Sequence, residues 1–147
     1  MAARRRIDTS AGAQAVRQWA VAQDEAESAA EVSPSSGQAA QGHGSLAARS
    51  AQRRVTATAV RFSLEELAAC APGHSVEVRV PPFGATQAVA GTVHRRGTPP
   101  SVVETDAQTW LRLATGRLDW EEALASGALH ASGERCDLSP YLPLMRA

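Results

Sequence analysis

Two cysteines and four histidines are the side chains of this chain best suited to nucleophilic or metal chemistry. Cys70 and Cys136 form no C-x-x-C pair, and neither stands beside a base that would activate it. The histidines are scattered, with no two spaced as zinc ligands on one turn would be: His43, His74, His94 and His130. The sequence therefore predicts reduced packing thiols, no catalytic residue, no metal site and no cofactor.

The charge balance and hydropathy narrow the classes of partner. Fifteen basic and fifteen acidic residues give zero net charge, so no overall field would hold a nucleic-acid backbone, and we expect no nucleic-acid partner. No run reaches the roughly twenty apolar residues of a membrane span, so no integral membrane association is expected. The arginines at positions 4–6 lack the apolar run of an export signal, which predicts a cytoplasmic protein.

The best-marked elements are two short helices near the C-terminus. Capping boxes begin at Thr105 and Asp119, each followed three residues later by Gln or Glu. Gly116 and Gly127 stand where the two apolar runs end, the position at which a left-handed glycine closes a helix. The sequence predicts helices of about three turns and two turns, each with one apolar face.

A helical arm, a linker and a longer helix are predicted upstream. Residues 8–31 predict a weakly amphipathic helix, and residues 32–45 have the Pro, Gly, Ser and Gln bias of a disordered linker. Apolar residues at spacings of three and four predict a helix over residues 47–71. One alternative stays open inside it, because residues 55–62 could alternate as a strand before a capping box at Ser63.

Five strands are predicted after this helix. In residues 75–80 the alternation of three valines with polar residues indicates a strand with one buried face. The prolines at 81 and 82 must end or kink it. The other predicted strands are residues 86–93, 101–105, 129–132 and 135–138.

A longer pattern points to a family. From Thr109 to Gly133 the sequence reads T-W-L-x-L-A-T-G-R-L-x-W-x-x-A-L-x-S-G-x-L-x-A-S-G, which resembles the C-terminal half of sterol carrier protein domains. Residues 71–89 and 95–106 resemble the small bacterial, actinobacterial branch of that family. The resemblance covers roughly residues 55–144. It implies an α/β (α+β) fold in which helices cover a five-stranded sheet around an apolar tunnel that accepts lipids or acyl chains.

The length of 147 residues suits one domain with an appendage. We therefore predict a flexible N-terminal arm and linker over residues 1–45 and a sterol-carrier-like domain over residues 46–147. Because the linker is too polar to bury much surface, the arm is expected to be dispensable for folding.

A tunnel must be lined by apolar side chains that do not collapse onto one another. Ordinary core packing is the plainer interpretation for each candidate taken singly; the candidates are Val78, Val80, Phe83, Trp110, Leu113, Leu118, Trp120, Leu124, Leu138 and Leu142. A polar rim could hold a carboxylate or phosphate head group, although solvated or cross-strand pairs are the plainer interpretation. The rim candidates are Arg79, Gln87, Arg96, Thr98 and Glu104.

The resemblance implies non-catalytic binding or carriage of a hydrophobic ligand, such as a lipid, an acyl chain or a sterol-like molecule. An alternative of another class is a structural or protein-interaction domain that has lost the tunnel and binds a partner through its sheet edge or its arm. Such domains also resemble appendages of thiol-dependent maleylpyruvate isomerases. The first 54 residues cannot build the metal-binding helical bundle of those enzymes.

Overall fold

A four-stranded sheet with one buried face and a set of helices packed against it make up the fold. The computed structural model describes residues 4–32, 45–91, 101–134 and 136–147. The helices are α1 (Thr9–Glu31), α2 (Leu46–Cys70), α3 (Ala107–Ala114), α4 (Trp120–Ala125) and a 3-10 turn at Ser139–Tyr141. The strands are β1 (Val76–Val80), β2 (Gly84–Ala88), β3 (Ser101–Thr105) and β4 (Leu129–Ser132).

The sheet has the strand order β2-β1-β3-β4. β1 is antiparallel to β2 and parallel to β3, and β3 is antiparallel to β4. Because side chains alternate along each strand, the valines of β1 and Val103 of β3 turn to the buried face, as the alternation predicts. The opposite face carries polar residues such as Glu77 and Glu104.

The mixed α+β class agrees with the sequence, but the fifth strand is not confirmed. Residues 136–138 are described outside any strand, and residue 135 lies outside the described residues. The second strand also starts earlier than predicted, at Gly84, because the turn at residues 81–83 is tight and the register pairs Val80 with Gly84. It ends before Val89, whose φ of 67° leaves the extended region.

α2 is one continuous helix, as the helical spacing predicts, and the alternative strand over residues 55–62 is wrong. Ser63, which could have capped a new helix, is fully buried in the middle of α2. Its hydroxyl donates to the carbonyl oxygen of Val60 at 2.9 Å. The helix begins instead at Ser45, whose side chain accepts from the backbone N–H of Ala48.

The cap of α3 lies one residue later than predicted. Thr105 ends β3, and its hydroxyl donates to the carbonyl of Ala128 at 2.8 Å. Asp106 is the N-cap, accepting from the backbone N–H of Thr109 at 2.9 Å and from the Thr109 hydroxyl at 2.7 Å. Asp119 caps α4 as predicted, but without a side-chain hydrogen bond.

We expect Asp106→Ala to lower the free energy of unfolding by about 0.5–2 kcal/mol, because the first turn of α3 loses its side-chain acceptor. Asp119→Ala is the matched control and should cost less, since that cap makes no such bond. Urea denaturation of the two variants measures the difference. Equal losses at the two caps would contradict the assignment of Asp106.

The Asp106 contribution should also depend on pH. Burial acts to raise the pKa of Asp106, but the hydrogen bonds from Thr109 outweigh it, and the pKa is lowered overall. A carboxyl with a lowered folded pKa stabilises the fold above its ordinary pKa, and the contribution is lost as pH falls through the lowered value. The gap between wild type and Asp106→Ala should therefore narrow in acid.

The flexible N-terminal arm is not confirmed, because α1 packs against the rest of the fold. Asp8 caps the helix, and Trp19 is fully buried with Val16 in the same hydrophobic core as α2 and the sheet. The indole Nε1 of Trp19 donates to Oε1 of Gln108 on α3 at 2.9 Å. The predicted linker lies largely outside the described residues, and the division at residue 45 stays a prediction.

Arg117 ties α1 to the loop between α3 and α4. Its guanidinium lies 5.9 Å from the ring centroid of Trp19 and pairs with Asp24 at 2.6 Å. The hydrogen bond from Arg117 lowers the pKa of Asp24, as expected for a carboxylate beside a cation.

Gly116 and Gly127 close α3 and α4 with φ of 78° and 75°, as predicted. Within the ranges described, no helix has the length and hydropathy needed to cross a membrane.

Candidate ligand-binding site

Most of the predicted tunnel-lining residues lie in the closed core between the sheet and the helices. Five of them are fully or almost fully buried: Val78, Val80, Trp110, Leu113 and Leu138. They belong to one continuous hydrophobic cluster with residues of α1 and α2. In this conformation they pack as core side chains, and their role in lining a tunnel stays a prediction.

Of the other predicted lining residues, Trp120 also belongs to the core cluster, and the remaining four lie nearer the surface. Trp120 is buried at the start of α4, and Leu124 is 37% exposed on the same helix. Phe83, Leu118 and Leu142 are half-buried and pack against the core. The structure therefore divides the predicted set between the interior and the periphery of the fold.

One polar contact crosses the apolar interior. The indole Nε1 of Trp110 donates to Oγ of Ser63 at 2.8 Å, and both side chains are fully buried. Because Ser63 donates in turn to Val60, both buried donors are satisfied. This contact joins α2 to α3 at the centre of the helical layer.

The described members of the predicted polar rim lie on the open face of the sheet. Arg79 and Glu104 are partners in the β1–β3 register, and Arg79 pairs with Glu77 on its own strand. Gln87 Oε1 is 2.7 Å from Nδ1 of His74. Arg96 and Thr98 lie outside the described residues. The structure thus gathers three of the five rim candidates on one face, away from the buried core.

An open groove runs along β4, the edge strand of the sheet. Its volume is about 580 Å³, and it is lined by Val102, Glu104, Leu124, Leu129, His130, Ala131 and Ser132. The volume lies in the range of about 300–1,000 Å³ typical of small-molecule sites. The groove is open to solvent and mixes polar with apolar groups, so an apolar ligand there would keep much of its hydration.

A second cleft opens directly onto the hydrophobic core, between α1, α2 and the C-terminal tail. We call it the tail cleft. Its volume is about 140 Å³, and it is lined by Ala13, Val16, Arg17, Phe62, Glu66, Met145 and Arg146. Val16 and Phe62 are buried members of the core, whereas the arginines lie exposed at the mouth. Sequence reasoning missed this cleft, since its walls come from three distant parts of the chain.

Local contacts build the walls of the tail cleft. Gly12 lets α1 approach the ring of Phe62 closely, because a Cβ atom at this position would lie 2.2 Å from the ring carbon Cγ. The tail is held by the backbone N–H groups of Leu144 and Met145, which donate to the carbonyl of Ala114 at 2.9 and 3.2 Å. These bonds place Met145 among the residues that line the cleft.

The mouth of the tail cleft is cationic. Glu66 pairs with Arg5, which offsets its charge, and Glu65 accepts from the backbone N–H groups of Arg6 and Ile7. In the part of the chain that the structure describes, neither Arg17 nor Arg146 has an ion pair within 4.0 Å. An apolar floor beneath two uncompensated guanidiniums fits a hydrophobic molecule that ends in an anionic group.

The cysteines and histidines are not arranged for catalysis in the described residues. Partial burial raises the pKa of the Cys70 thiol, which lowers its thiolate fraction at neutral pH. Cys136 is half-buried, and its thiol lies 3.5 Å from the carbonyl of Gly133. Among the residues that the structure describes, no group of three or more His, Cys, Asp and Glu gathers as metal ligands. The absence of catalysis stays a prediction.

Comparison with models of protein families identifies a family that this chain matches. A family model described as "Bacterial SCP ortholog" matches residues 52–144, which is more than half of the chain. The matched region runs from within α2 through the sheet to the C-terminal tail, and α1 lies upstream of it. No curated protein matches the chain.

Proposed function

The chain belongs to the bacterial orthologues of sterol carrier protein, and we propose on this premise that it binds or carries a hydrophobic ligand without catalysing a reaction. Membership of a family supports a general role, whereas a ligand has to be argued from a site. The observation that carries the proposal is the tail cleft, where an apolar floor continuous with the core meets two unpaired arginines.

The size of the tail cleft indicates how a ligand would enter. A dry apolar cavity of about 150 Å³ is large enough to bind benzene. The tail cleft, at about 140 Å³, therefore accepts one ring or a short stretch of acyl chain as it stands. A longer chain requires Met145 to move, and methionine has the rotatable bonds to do so. Two backbone hydrogen bonds to Ala114 hold this part of the tail.

The charge at the mouth indicates the class of ligand. Arginine presents a planar set of N–H donors that matches a carboxylate or a phosphate. Arg17 on α1 and Arg146 on the tail approach the mouth from two sides. We therefore propose that the ligand is an amphipathic acid. Its apolar part would lie on Val16 and Phe62, and its anionic group would lie between the two guanidiniums.

A long-chain fatty acid is expected to bind the delipidated protein more tightly than the fatty alcohol of the same length. The double variant Arg17→Gln, Arg146→Gln should weaken acid binding by roughly tenfold, since charge-assisted hydrogen bonds are worth about 1.5–3 kcal/mol before solvent screening. Alcohol binding should not change. Isothermal titration calorimetry measures both, and Arg112→Gln, on α3 outside the cleft, is the matched control.

Two results would count against this proposal. If neither compound binds and native mass spectrometry of detergent-free protein finds no bound lipid, the carrier role is removed. If the acid binds but the double variant binds it equally well, the ligand lies elsewhere, and the groove beside β4 becomes the first place to test.

The second candidate function is a structural or protein-interaction domain without a tunnel. The close burial of Val78, Val80, Trp110, Leu113 and Leu138 supports it, because a packed interior leaves no room for a ligand between the layers. Ligand titration separates the two candidates, since the interaction domain should bind neither the acid nor the alcohol.

A further inference from the structure

The outer ends of α1 and α2 are helical, and among the described residues they contribute no buried side chain to the core. Residues 24–31 form the end of α1, here called the acidic segment, and residues 46–54 form the start of α2, here called the basic segment. Every residue in both segments is exposed. In proteins most helical stability comes from packing of an apolar face, and neither segment has a buried residue. Each segment therefore gains little from the fold that carries it.

The two segments carry opposite charges. The acidic segment holds four acids and no base: Asp24, Glu25, Glu27 and Glu31. The basic segment holds three arginines and no acid: Arg49, Arg53 and Arg54. Such a separation of charge is self-complementary between two copies of one chain.

These charges disfavour the helices that bear them. Glu27 and Glu31 are like charges four residues apart, as are Arg49 and Arg53, and such pairs repel on a helix surface. The acidic residues also stand at the C-terminal end of α1, which has no basic residue in its last turn. The first turn of α2 has no acidic residue. Negative side chains at the C-terminal end of α1 and positive side chains at the N-terminal end of α2 are both unfavourable for the helix dipole. An opposite charge from outside the helix would therefore stabilise each segment.

The residues that the structure describes supply little of that opposite charge. In the described ranges the ion pairs within 4.0 Å join Arg5 to Glu66, Arg79 to Glu77 and Arg117 to Asp24. Asp24 is the member of the acidic segment that takes part in these pairs, and Glu27 lies close enough to Arg117 to help raise the pKa of that guanidinium. The Arg53 guanidinium lies over the ring of Phe83, 5.7 Å from its centroid, and pairs with no acid there.

We propose that the acidic and basic segments form an interface between two copies of this chain. The acidic segment of one copy lies along the basic segment of the other, and the same contact in reverse completes a twofold dimer. Three exposed apolar side chains stand at the ends of the two segments and add surface that the dimer would cover: Val21, Val32 and Leu46. The tail cleft lies towards the other end of α1, so dimerisation and ligand binding are independent.

A charge-exchange experiment tests the dimer. One full-length variant makes both segments acidic with Arg49→Glu, Arg53→Glu and Arg54→Glu. The other makes both basic with Glu25→Arg, Glu27→Arg and Glu31→Arg, leaving Asp24 with Arg117. Wild type should dimerise at low ionic strength and dissociate near about 0.5 M salt, where the Debye length falls towards a few ångströms. Each variant alone should dimerise at least about tenfold more weakly, and their equimolar mixture should form a heterodimer.

Analytical ultracentrifugation measures these states, and circular dichroism checks that each variant stays folded. The milder pair Arg54→Glu and Glu25→Arg repeats the mixing test if a triple variant unfolds. Wild type that stays monomeric at high concentration and low salt overturns the proposal. So does a mixture that fails to associate, because the segments then act within one chain. Wild type that is monomeric but sediments with anionic phospholipid vesicles also overturns it and identifies a lipid surface as the partner.

Discussion

Trp110→Ala is expected to lower the free energy of unfolding by about 3–5 kcal/mol, the range found for large aromatic side chains removed from a core. Trp110 is fully buried at the centre of the helical layer, and its removal also breaks the hydrogen bond to Ser63. Because small domains are stable by only about 5–15 kcal/mol, this is a large share of the total. Urea denaturation followed by far-ultraviolet circular dichroism measures it.

Trp110→Phe is the control for volume. It keeps most of the apolar ring and removes the indole donor, so the loss specific to the hydrogen bond should be about 1 kcal/mol. Ser63 keeps its bond to Val60 in both variants. If Trp110→Ala instead costs about 1 kcal/mol and leaves a folded protein, a void already lies beside Trp110. That outcome would support the predicted tunnel over the closed core.

Trp19→Ala is expected to cost a similar amount, about 3–5 kcal/mol. Trp19 is fully buried, donates to Gln108 and lies against the guanidinium of Arg117, so removing the ring takes away these contacts of α1 with α3 and with the loop that follows it. Thermal and urea denaturation measure the loss. Leu46→Ala is the matched control, because Leu46 is 83% exposed and its removal should change stability by only a few tenths of a kcal/mol.

The Trp19 result also tests the view of α1 as a dispensable arm. If residues 1–45 were independent of the domain, neither Trp19→Ala nor deletion of residues 1–32 would change the melting temperature by more than a degree or two. We expect both changes to lower it by many degrees. An unchanged melting temperature would mean that α1 packs on the domain without stabilising it.

Several features followed from the sequence because they depend on neighbouring residues. Alternation in residues 75–80 predicted the buried face of β1, and spacings of three and four predicted α2. Gly116 and Gly127 marked helix ends because a left-handed residue is needed there whatever the rest of the fold does. The long pattern from Thr109 to Gly133 identified the family, which the match over residues 52–144 confirms.

Where two local signals compete, the sequence was less decisive. Thr105 and Asp106 are both good N-caps, and the choice fell to Asp106 because pairing with β4 keeps Thr105 in its strand. The start of β2 was likewise decided by the β1–β2 register rather than by the prolines alone. Such choices are made by hydrogen bonds to another strand, and no local pattern reports them.

The docking of α1 and the tail cleft were decided only by the tertiary structure. The apolar face of α1 is narrow and rich in small residues, a pattern that in the sequence is typical of a solvated arm. In the structure Gly12 lies close to the ring of Phe62, and Trp19 donates a hydrogen bond to Gln108. Met145 and Ala13 face one cleft although almost the whole chain separates them. Sequence periodicity shows that a face will be buried, but the surface that buries it is chosen by packing between distant segments.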